Sequence, residues 1–361
     1  MTAPAGATAL TATAATPALE IRDLVVRYGS GRKARQAPPA IDRVSFDIAP
    51  GETVGLVGES GSGKSTIGKA VLGLQRPTSG TVKLHGQDIT AMSLKQRSRL
   101  VADLRVVFQD PYSSLNPART IGQTLVEPLR LMGIKGPQAV EKARAGLESV
   151  GLPADAVDRY PSQFSGGQRQ RIAIARALVC EPKVVVLDEP VSALDLSTQA
   201  QVLNLLADLR DQRGLAFLFI AHDLGVVRFL SQRTVVLYRG QVMETGPVEA
   251  VSQAPRHPYT VALTAAAPVP RPAEQRARRT AREAAGFGTA GAAAPSATGC
   301  PFVPRCPLAT DVCVTERPPL RLVEGTEAAC HHAERLKDLG APHRSQARGG
   351  PLHRGRGAAD A

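Results

Sequence analysis

The sequence predicts an α/β protein with a sheet at its core and a small cysteine-rich C-terminal extension. Residues 53–57 are a short apolar run, followed by a glycine-rich loop and then by helical spacing from Ile67 to Leu74. Residues 184–187 are four consecutive apolar residues, which is typical of a parallel strand buried on both faces. Residues 299–335 are rich in Cys and Pro. We therefore expect one regular α/β domain followed by a module of different composition.

The composition narrows the class of protein. The chain has 361 residues, with 44 Lys and Arg against 32 Asp and Glu, which gives a formal charge of +12. This excess suits either an acidic partner or simply a solvated surface. Aromatic residues make up 4% and Trp is absent, so stacking platforms for single-stranded nucleic acid are hard to build. We therefore expect no nucleic-acid partner. No run of the sequence approaches the ~18 consecutive apolar residues of a membrane-spanning helix.

The glycine-rich loop predicts a phosphate site. It comprises Gly58, Glu59, Ser60, Gly61, Ser62, Gly63, Lys64, Ser65 and Thr66, which matches G-x-x-x-x-G-K-S between a strand and a helix. Glycines let successive backbone N–H groups face an anion, and the helix N-terminus adds its positive dipole end. We expect Lys64 to neutralise the β- and γ-phosphates of a bound nucleotide and the Ser65 hydroxyl to ligate Mg²⁺.

Two carboxylates close the second apolar run. Asp188 and Glu189 follow residues 184–187 directly. Ligands of parallel sheets bind at the carboxyl ends of the strands, so both side chains are expected at the nucleotide. Asp188 can hold Mg²⁺ through water, and Glu189 can polarise the water that attacks the γ-phosphate.

Further motifs follow one another in the order found in the ATP-binding subunits of ABC transporters, and the chain resembles that family. They are Tyr28 after a short strand; Gln109 after the apolar residues 106–108; the signature-like Ser165, Gly166, Gly167 and Gln168; the D-loop-like Ser192, Ala193, Leu194 and Asp195; and His222 after the apolar residues 215–220. Phe164 stands where the family more often has Leu. The resemblance implies a P-loop NTPase fold of the ABC type, with a mixed sheet core and a helical subdomain.

The resemblance also implies roles. Tyr28 would stack on adenine, Gln109 would contact Mg²⁺ and water, and His222 would contact the γ-phosphate and orient Glu189. The signature segment would face the γ-phosphate held by the opposite subunit, so that a dimer encloses two nucleotides. Because no catalytic motif looks degenerate, we expect ATP hydrolysis and not binding alone.

Three segments, 109–117, 188–195 and 257–260, resemble the oligopeptide/dipeptide importers of bacteria. This implies ATP-driven peptide import, with a nickel or other small-solute importer as the alternative. A soluble ABC protein acting on ribosomes or DNA is the alternative from another class. The implied partners are a second ABC ATPase, with a distinct paralogue favoured over a second copy, two permease subunits and a peptide-binding protein. The implied location is peripheral, at the cytoplasmic face of the cell membrane.

Four of the five cysteines, Cys300, Cys306, Cys313 and Cys330, fall within about 31 residues. With no secretion signal and an ATPase that works in the cytosol, disulfides are not expected. Thiols this dense suggest a metal staple. Their spread spacing favours a [4Fe–4S] cluster, with zinc or no metal as alternatives. The fifth, Cys180, is expected to be a buried small hydrophobe.

The changes of composition predict four segments. Residues 1–18 form a low-complexity leader, 19–255 the ATPase domain, 256–335 the C-terminal extension with its cysteines, and 336–361 a Gly-, Ala- and Arg-rich tail. Within the extension, residues 271–298 are a second low-complexity stretch with several arginines.

Overall fold

The computed structural model describes residues 16–29, 37–110, 114–266 and 298–339. The predicted leader up to residue 15, residues 271–297 of the basic stretch and the tail beyond residue 339 lie outside these ranges. The strands are β1 Leu19–Val26, β2 Ile41–Ile48, β3 Thr53–Val57, β4 Ser79–Leu84, β5 Gln87–Asp88, β6 Leu104–Val107, β7 Val184–Asp188, β8 Ala216–Ile220, β9 Arg233–Tyr238, β10 Gln241–Pro247, β11 Arg321–Val323 and β12 Thr326–Ala328.

The helices begin with α1 after the glycine-rich loop and continue into the extension. They are α1 Lys64–Leu72, α2 Leu94–Arg97, α3 Ile121–Leu131, α4 Gly136–Glu148, α5 Gly166–Leu178, α6 Leu196–Arg213, α7 Leu224–Leu230, α8 Val248–Gln253, α9 Pro258–Ala266 and α10 Asp311–Thr315. None of the helices in the described ranges is both long enough and apolar enough to cross a bilayer.

A central sheet of eight strands organises the molecule. Its order is β11-β12-β10-β9-β3-β8-β7-β6, and the neighbours from β9 to β6 run parallel. The apolar run 53–57 coincides with β3, and β7 contains the run 184–187, as the sequence predicts. Both strands are buried on two faces, which explains why their apolar residues do not alternate with polar ones. The parallel strands therefore end together at one edge of the sheet.

The two faces of the central sheet carry different layers. On one face, Val184 and Val186 pack with α1 and with an antiparallel sheet of order β2-β1-β4-β5. On the other face, Val185 and Leu187 pack with apolar residues of α3 to α7. The alternation of side chains along β7 thus divides the molecule into two apolar cores. This mixed architecture agrees with the fold expected from the resemblance.

The C-terminal extension continues the central sheet. Strand β12 pairs antiparallel with β10, with Glu244 opposite Ala328, and β11 completes the edge. Phe302 and Val303 belong to the same apolar cluster as α3 to α7. Arg317 adds an ion pair of 2.6 Å with Asp42, just inside β2. The cysteine-rich residues are therefore packed against the α/β domain through backbone, apolar and ionic contacts.

Candidate nucleotide site

The glycine-rich loop leads from β3 into the N-terminus of α1. Gly63, the residue before the helix, has φ 109° and no side chain caps the first turn. A Cβ on Gly63 would lie 2.4 Å from Ile41 Cδ1, and one on Gly58 would lie 2.2 Å from the Leu237 carbonyl oxygen. Larger residues would force the loop away from both contacts. The loop therefore presents an uncapped helix N-terminus, which is the arrangement that attracts a phosphate.

Lys64, the first residue of α1, is 5% exposed. Its ammonium donates to the carbonyl oxygens of Gly58 at 2.7 Å and Glu59 at 3.1 Å. Burial lowers the pKa of Lys64, while the nearby Glu189 and Asp188 carboxylates oppose that shift. The cation is thus fixed beneath the loop, where it can meet the phosphate of a nucleotide.

Ser65 and Asp188 meet where α1 faces the end of β7. The Ser65 hydroxyl donates to Asp188 Oδ1 at 3.3 Å. Burial raises the pKa of Asp188, and the hydrogen bond from Ser65 opposes this rise. A hydroxyl and a carboxylate so placed are oxygen ligands that can hold Mg²⁺.

Glu189 and His222 lie side by side one residue beyond β7 and two beyond β8. Glu189 Oε2 is 2.8 Å from His222 Nε2, an ion-pair distance that lacks the alignment of a hydrogen bond. The Glu189 backbone has φ 51°, a left-handed conformation held by its N–H, which donates to the Ile220 carbonyl. Strain of this kind persists only where the surroundings enforce it. A buried carboxylate beside a half-exposed imidazole can polarise a water at this edge.

Gln109 and Tyr28 border the same region. Gln109 is exposed two residues beyond β6, whose last residue Val107 pairs with Leu187 next to Asp188. Tyr28 follows β1 by two residues, and its hydroxyl lies 2.9 Å from Thr66 Oγ1. About half of the residue is exposed. Residues 111–113 of the importer-like segment 109–117 lie outside the described ranges.

The signature-like segment forms a different kind of helix start. Ser165 caps α5: its hydroxyl accepts the Gln168 N–H at 3.3 Å, and the Gln168 side chain accepts the Ser165 N–H at 3.0 Å. A Cβ on Gly167 would lie 2.3 Å from Thr198 Cγ2, which places this segment against the start of α6.

The D-loop-like segment lies between Glu189 and α6. Ser192 donates its hydroxyl to the Glu189 carbonyl at 3.0 Å, and Asp195 caps α6 by accepting the N–H groups of Ser197 and Thr198. These hydrogen bonds, the one from Thr198 first, hold the pKa of Asp195 well below its usual range. Ala193 is exposed and Leu194 packs partly against the helical core.

Two residues of the extension also contact the phosphate loop, which the sequence analysis did not anticipate. The hydroxyl of Tyr259 accepts the backbone N–H of Glu59 at 2.8 Å. The Arg305 guanidinium forms two parallel hydrogen bonds with the Glu59 carboxylate, at 2.9 and 3.0 Å. The segment 257–260 was recognised as similar to the importer family, but nothing in the sequence reveals contacts with a loop that is 200 and 246 residues away along the chain.

The four cysteines of the extension line one small cavity of about 10 Å³, together with His257, His331 and His332. Burial raises the pKa of Cys306 to about 12 and that of Cys330 to about 11, and neighbouring thiols add to both rises. Within the described ranges, no group of three or more His, Cys, Asp or Glu side chains is arranged to hold a metal ion. Cys180 lies apart and is buried, as predicted.

Comparison with known families matches two parts of the chain. The family model described as ABC transporter matches residues 41–192. The model described as oligopeptide/dipeptide transporter, C-terminal region, matches residues 243–313, which include three of the four clustered cysteines.

Relatives and solved structures agree with these matches. A putative peptide import ATP-binding protein of Brucella ovis is 49% identical over 87% of this chain and 98% of its own length. The glutathione import ATP-binding protein of Escherichia coli O157:H7 is 48% identical over 73% of this chain, which spans 43% of that protein.

Among structures, an ATP-binding cassette solved as a dimer in a post-hydrolysis state with ADP and Pi has a TM-score of 0.57 and 29% identity, covering 64% of this chain and 98% of its own. A cassette of the cbiONQ complex of Clostridium perfringens has a TM-score of 0.58 and 26% identity, covering 65% and 90%.

Proposed function

Because the chain belongs to the ATP-binding subunits of ABC transporters, in the oligopeptide/dipeptide branch, we propose that its phosphate-loop edge is the site where it hydrolyses ATP to power peptide import. The observation that carries this assignment is the convergence of Lys64, Asp188, Glu189 and His222 at the carboxyl ends of β3, β7 and β8. A parallel sheet binds its ligand at this edge. The ABC fold and the peptide-importer relatives supply the class of reaction.

The contacts support a division of roles within the site. Lys64 and the loop N–H groups bind the phosphates, and Tyr28 stacks on the adenine. Ser65, Asp188 and Gln109 would hold Mg²⁺, which would supply positive charge to the phosphates. Glu189 polarises the attacking water, and His222 orients that carboxylate and contacts the γ-phosphate. Catalysis is then mostly positioning and electrostatic stabilisation, as in other phosphoryl transfers.

The second half of the catalytic site comes from another cassette. The signature-like segment begins α5 with small residues and lies on a helix start separate from the phosphate loop, which suits a phosphate held by a partner. The related cassette solved as a dimer with ADP and Pi supports a nucleotide-bound dimer of cassettes. We favour a distinct paralogue as the partner, docked with this chain on two permease subunits at the cytoplasmic face, where a peptide-binding protein delivers the substrate.

The cysteine cluster supports a further assignment, a [4Fe–4S] cluster held by Cys300, Cys306, Cys313 and Cys330, with zinc as the alternative. The donor set fits: four thiols line one cavity, together with His257, His331 and His332. His332 donates its backbone N–H to Cys330 Sγ at 3.3 Å, a contact that suits a thiolate. When bound, such a group would staple the extension. The cavity of about 10 Å³ is smaller than such a cluster, so loading would require the four thiols to rearrange and to lose their protons.

Transport is tested with the complete complex in proteoliposomes. We expect ATP-dependent uptake of a labelled oligopeptide that requires this chain, both permeases and the binding protein. Uptake of Ni²⁺ in place of peptide would reject the peptide assignment. Membrane association without the permeases would reject docking on them.

The metal assignment is tested on protein purified without oxygen. About four iron and four sulfide per chain are expected. A content of one zinc per chain would reject the cluster and indicate a zinc staple. Metal-free protein would reject both. Cys180→Ser is the internal control and should retain the full metal content.

A further inference from the structure

The second residue of the phosphate loop is held from outside the α/β domain. Glu59 is bound through its backbone by Tyr259 and through its carboxylate by Arg305. Both residues belong to the C-terminal extension. The loop therefore has two attachments that the motif G-x-x-x-x-G-K-S does not include.

Tyr259 is rigidly placed. It lies in the first turn of α9, is fully buried, and its N–H donates to His257 Nδ1 at 3.0 Å. Its ring is 4.6 Å from that of Tyr238 and 5.5 Å from that of Phe302, measured between centroids. Because Tyr238 ends β9 beside β3, this aromatic cluster joins the extension to the sheet at the level of the loop. The hydroxyl that receives the Glu59 N–H thus has little freedom to move.

Arg305 is placed by the same cluster. Its guanidinium carbon lies 5.4 Å from the Phe302 ring centroid and 5.9 Å from that of Tyr238, within the range of a cation–π contact. Arg305 immediately precedes Cys306, so its position follows that of the cysteine module. The planar guanidinium meets the carboxylate with two parallel hydrogen bonds, a geometry that a lysine cannot reproduce.

The charge of Glu59 gives the contact a consequence for binding. A carboxylate in a loop that receives a polyanion opposes binding, and Arg305 cancels that charge. The two side chains are 45% and 36% exposed, so the ion pair adds little to stability by itself. Its main effect is on the potential at the loop.

We propose that the C-terminal extension is part of the nucleotide site, with Tyr259 and Arg305 as positioning residues that orient the phosphate loop and neutralise it through Glu59. This inference rests on the proposed function, since it requires that the loop bind the phosphates. It also makes ATP affinity sensitive to the state of the cysteine module, because Arg305 is adjacent to Cys306 in the sequence.

The charge effect is tested by binding of a fluorescent ATP analogue to the full-length chain. Arg305→Gln should weaken affinity about 3- to 10-fold at low salt, and less at high salt because exposed charges are screened. The double variant Glu59→Gln with Arg305→Gln should bind within about twofold of Glu59→Gln alone, because the unpaired charge is gone. Unchanged affinity in Arg305→Gln, or a loss that Glu59→Gln does not rescue, would overturn the proposal.

Arg317→Gln is the matched control. Arg317 also ties the extension to the α/β domain through an ion pair, with Asp42, but does not contact the loop. We expect wild-type ATP affinity in this variant. An equal loss would mean that any loosened extension weakens binding, and the specific role of Arg305 would be wrong.

The role of Tyr259 is tested by Tyr259→Phe, which removes only the hydroxyl. We expect a raised KM for ATP with kcat within about twofold of wild type, because the loop is less well oriented while Glu189 and His222 are untouched. An unchanged KM would remove Tyr259 from the proposal. Lys64→Ala is measured in parallel: if it also binds normally, the loop is not the phosphate site and the proposed function itself fails.

Discussion

Two helix starts in this chain look alike in sequence and differ in structure. The phosphate loop enters α1 through Gly63, which offers no side-chain cap. The signature-like segment enters α5 through Ser165, whose side chain and that of Gln168 form a capping box. Both are glycine-rich, and both were predicted from the sequence to face phosphate.

The difference lies in how each helix satisfies its first N–H groups. An uncapped N-terminus with a buried lysine is prepared for an anion in the single chain. The capping box of α5 supplies acceptors for the N–H groups of Ser165 and Gln168, so a phosphate at this helix start would use the other N–H groups of the first turn or displace these two bonds. Glycine and serine at a helix start are therefore compatible with two kinds of phosphate site: one formed within a single chain, and one completed across a dimer.

The largest expected effect comes from Glu189, which follows both helix starts in sequence. Glu189→Gln should slow ATP hydrolysis by ~10²–10⁴ because a positioned general base is lost. Binding of ATP should persist, since the loop is untouched. Phosphate release by the assembled complex checks this. Glu181→Gln, an exposed carboxylate paired with Lys142, is the control with wild-type turnover, and turnover of Glu189→Gln within threefold of wild type would refute the assignment.

Lys64→Ala tests the uncapped helix start directly. A charge-assisted hydrogen bond to phosphate contributes ~1.5–3 kcal/mol, so affinity should fall roughly 10- to 150-fold. Titration of the isolated chain with a fluorescent ATP analogue measures the loss. Lys142→Ala, which removes a lysine paired with Glu181 far from the loop in sequence, should bind as wild type. Equal binding by both variants would show that the loop has been misassigned.

Ser165→Ala tests the capped helix start. Loss of an N-cap should lower the free energy of unfolding by ~0.5–2 kcal/mol, while ATP binding to the isolated chain stays unchanged. Turnover of the assembled complex should fall as well, because Ser165 would contact the partner's nucleotide. Thr120→Ala removes the same capping box from α3 and is the matched control: it should cost similar stability without the loss of turnover.

The smallest effect concerns the buried acid behind Tyr259. Burial raises the pKa of Glu244 to about 7, although its carboxylate accepts the N–H groups of Arg256 and His257. The folded state then binds more protons than the unfolded state between about pH 4.5 and 7, so this group lowers stability as pH rises through that range. Burial also lowers the pKa of His257 to about 3, which acts oppositely and raises stability as pH increases towards 6.5.

Glu244→Gln should therefore leave the His257 contribution unopposed. We expect the unfolding free energy of the variant to rise more steeply with pH between about 4.5 and 6.5 than that of the wild type. Urea denaturation at several pH values measures the slopes, and parallel curves for the two proteins would contradict the pKa of Glu244. Thr326→Val, which removes a weaker donor to the same carboxylate, serves as the control for packing.

The sequence predicted what depends on local pattern. The strand at 53–57, the loop and helix that follow it, and the strand at 184–188 were legible because buried parallel strands and glycine turns have short-range signatures. The placement of Asp188 near Ser65 followed from the rule that parallel strands end at one edge.

What the sequence could not predict depends on long-range pairing. Nothing in the residues around 326–328 indicates that they add a strand beside β10, because a three-residue strand carries no period. The contacts of Tyr259 and Arg305 with Glu59 likewise depend on how that added strand and the aromatic cluster bring the extension back to the loop. The separation of the four thiols depends on the same long-range packing, and their spacing in the chain gives only their number.

The pairing of β12 with β10 also protects a sheet edge. A chain that ended after α9 would expose the N–H and C=O groups of β10, a seven-residue strand, as a template for pairing with other chains. In the full chain β12 pairs with Glu244 and Thr245 at the middle of that edge, and the new outer strand, β11, has only three residues and begins with Arg321, whose guanidinium is held by Glu334. Short, charged edges resist lateral association. Pairing of β12 with β10 therefore also affects solubility. A chain truncated after α9 should self-associate at concentrations where the full chain does not, and light scattering would measure this.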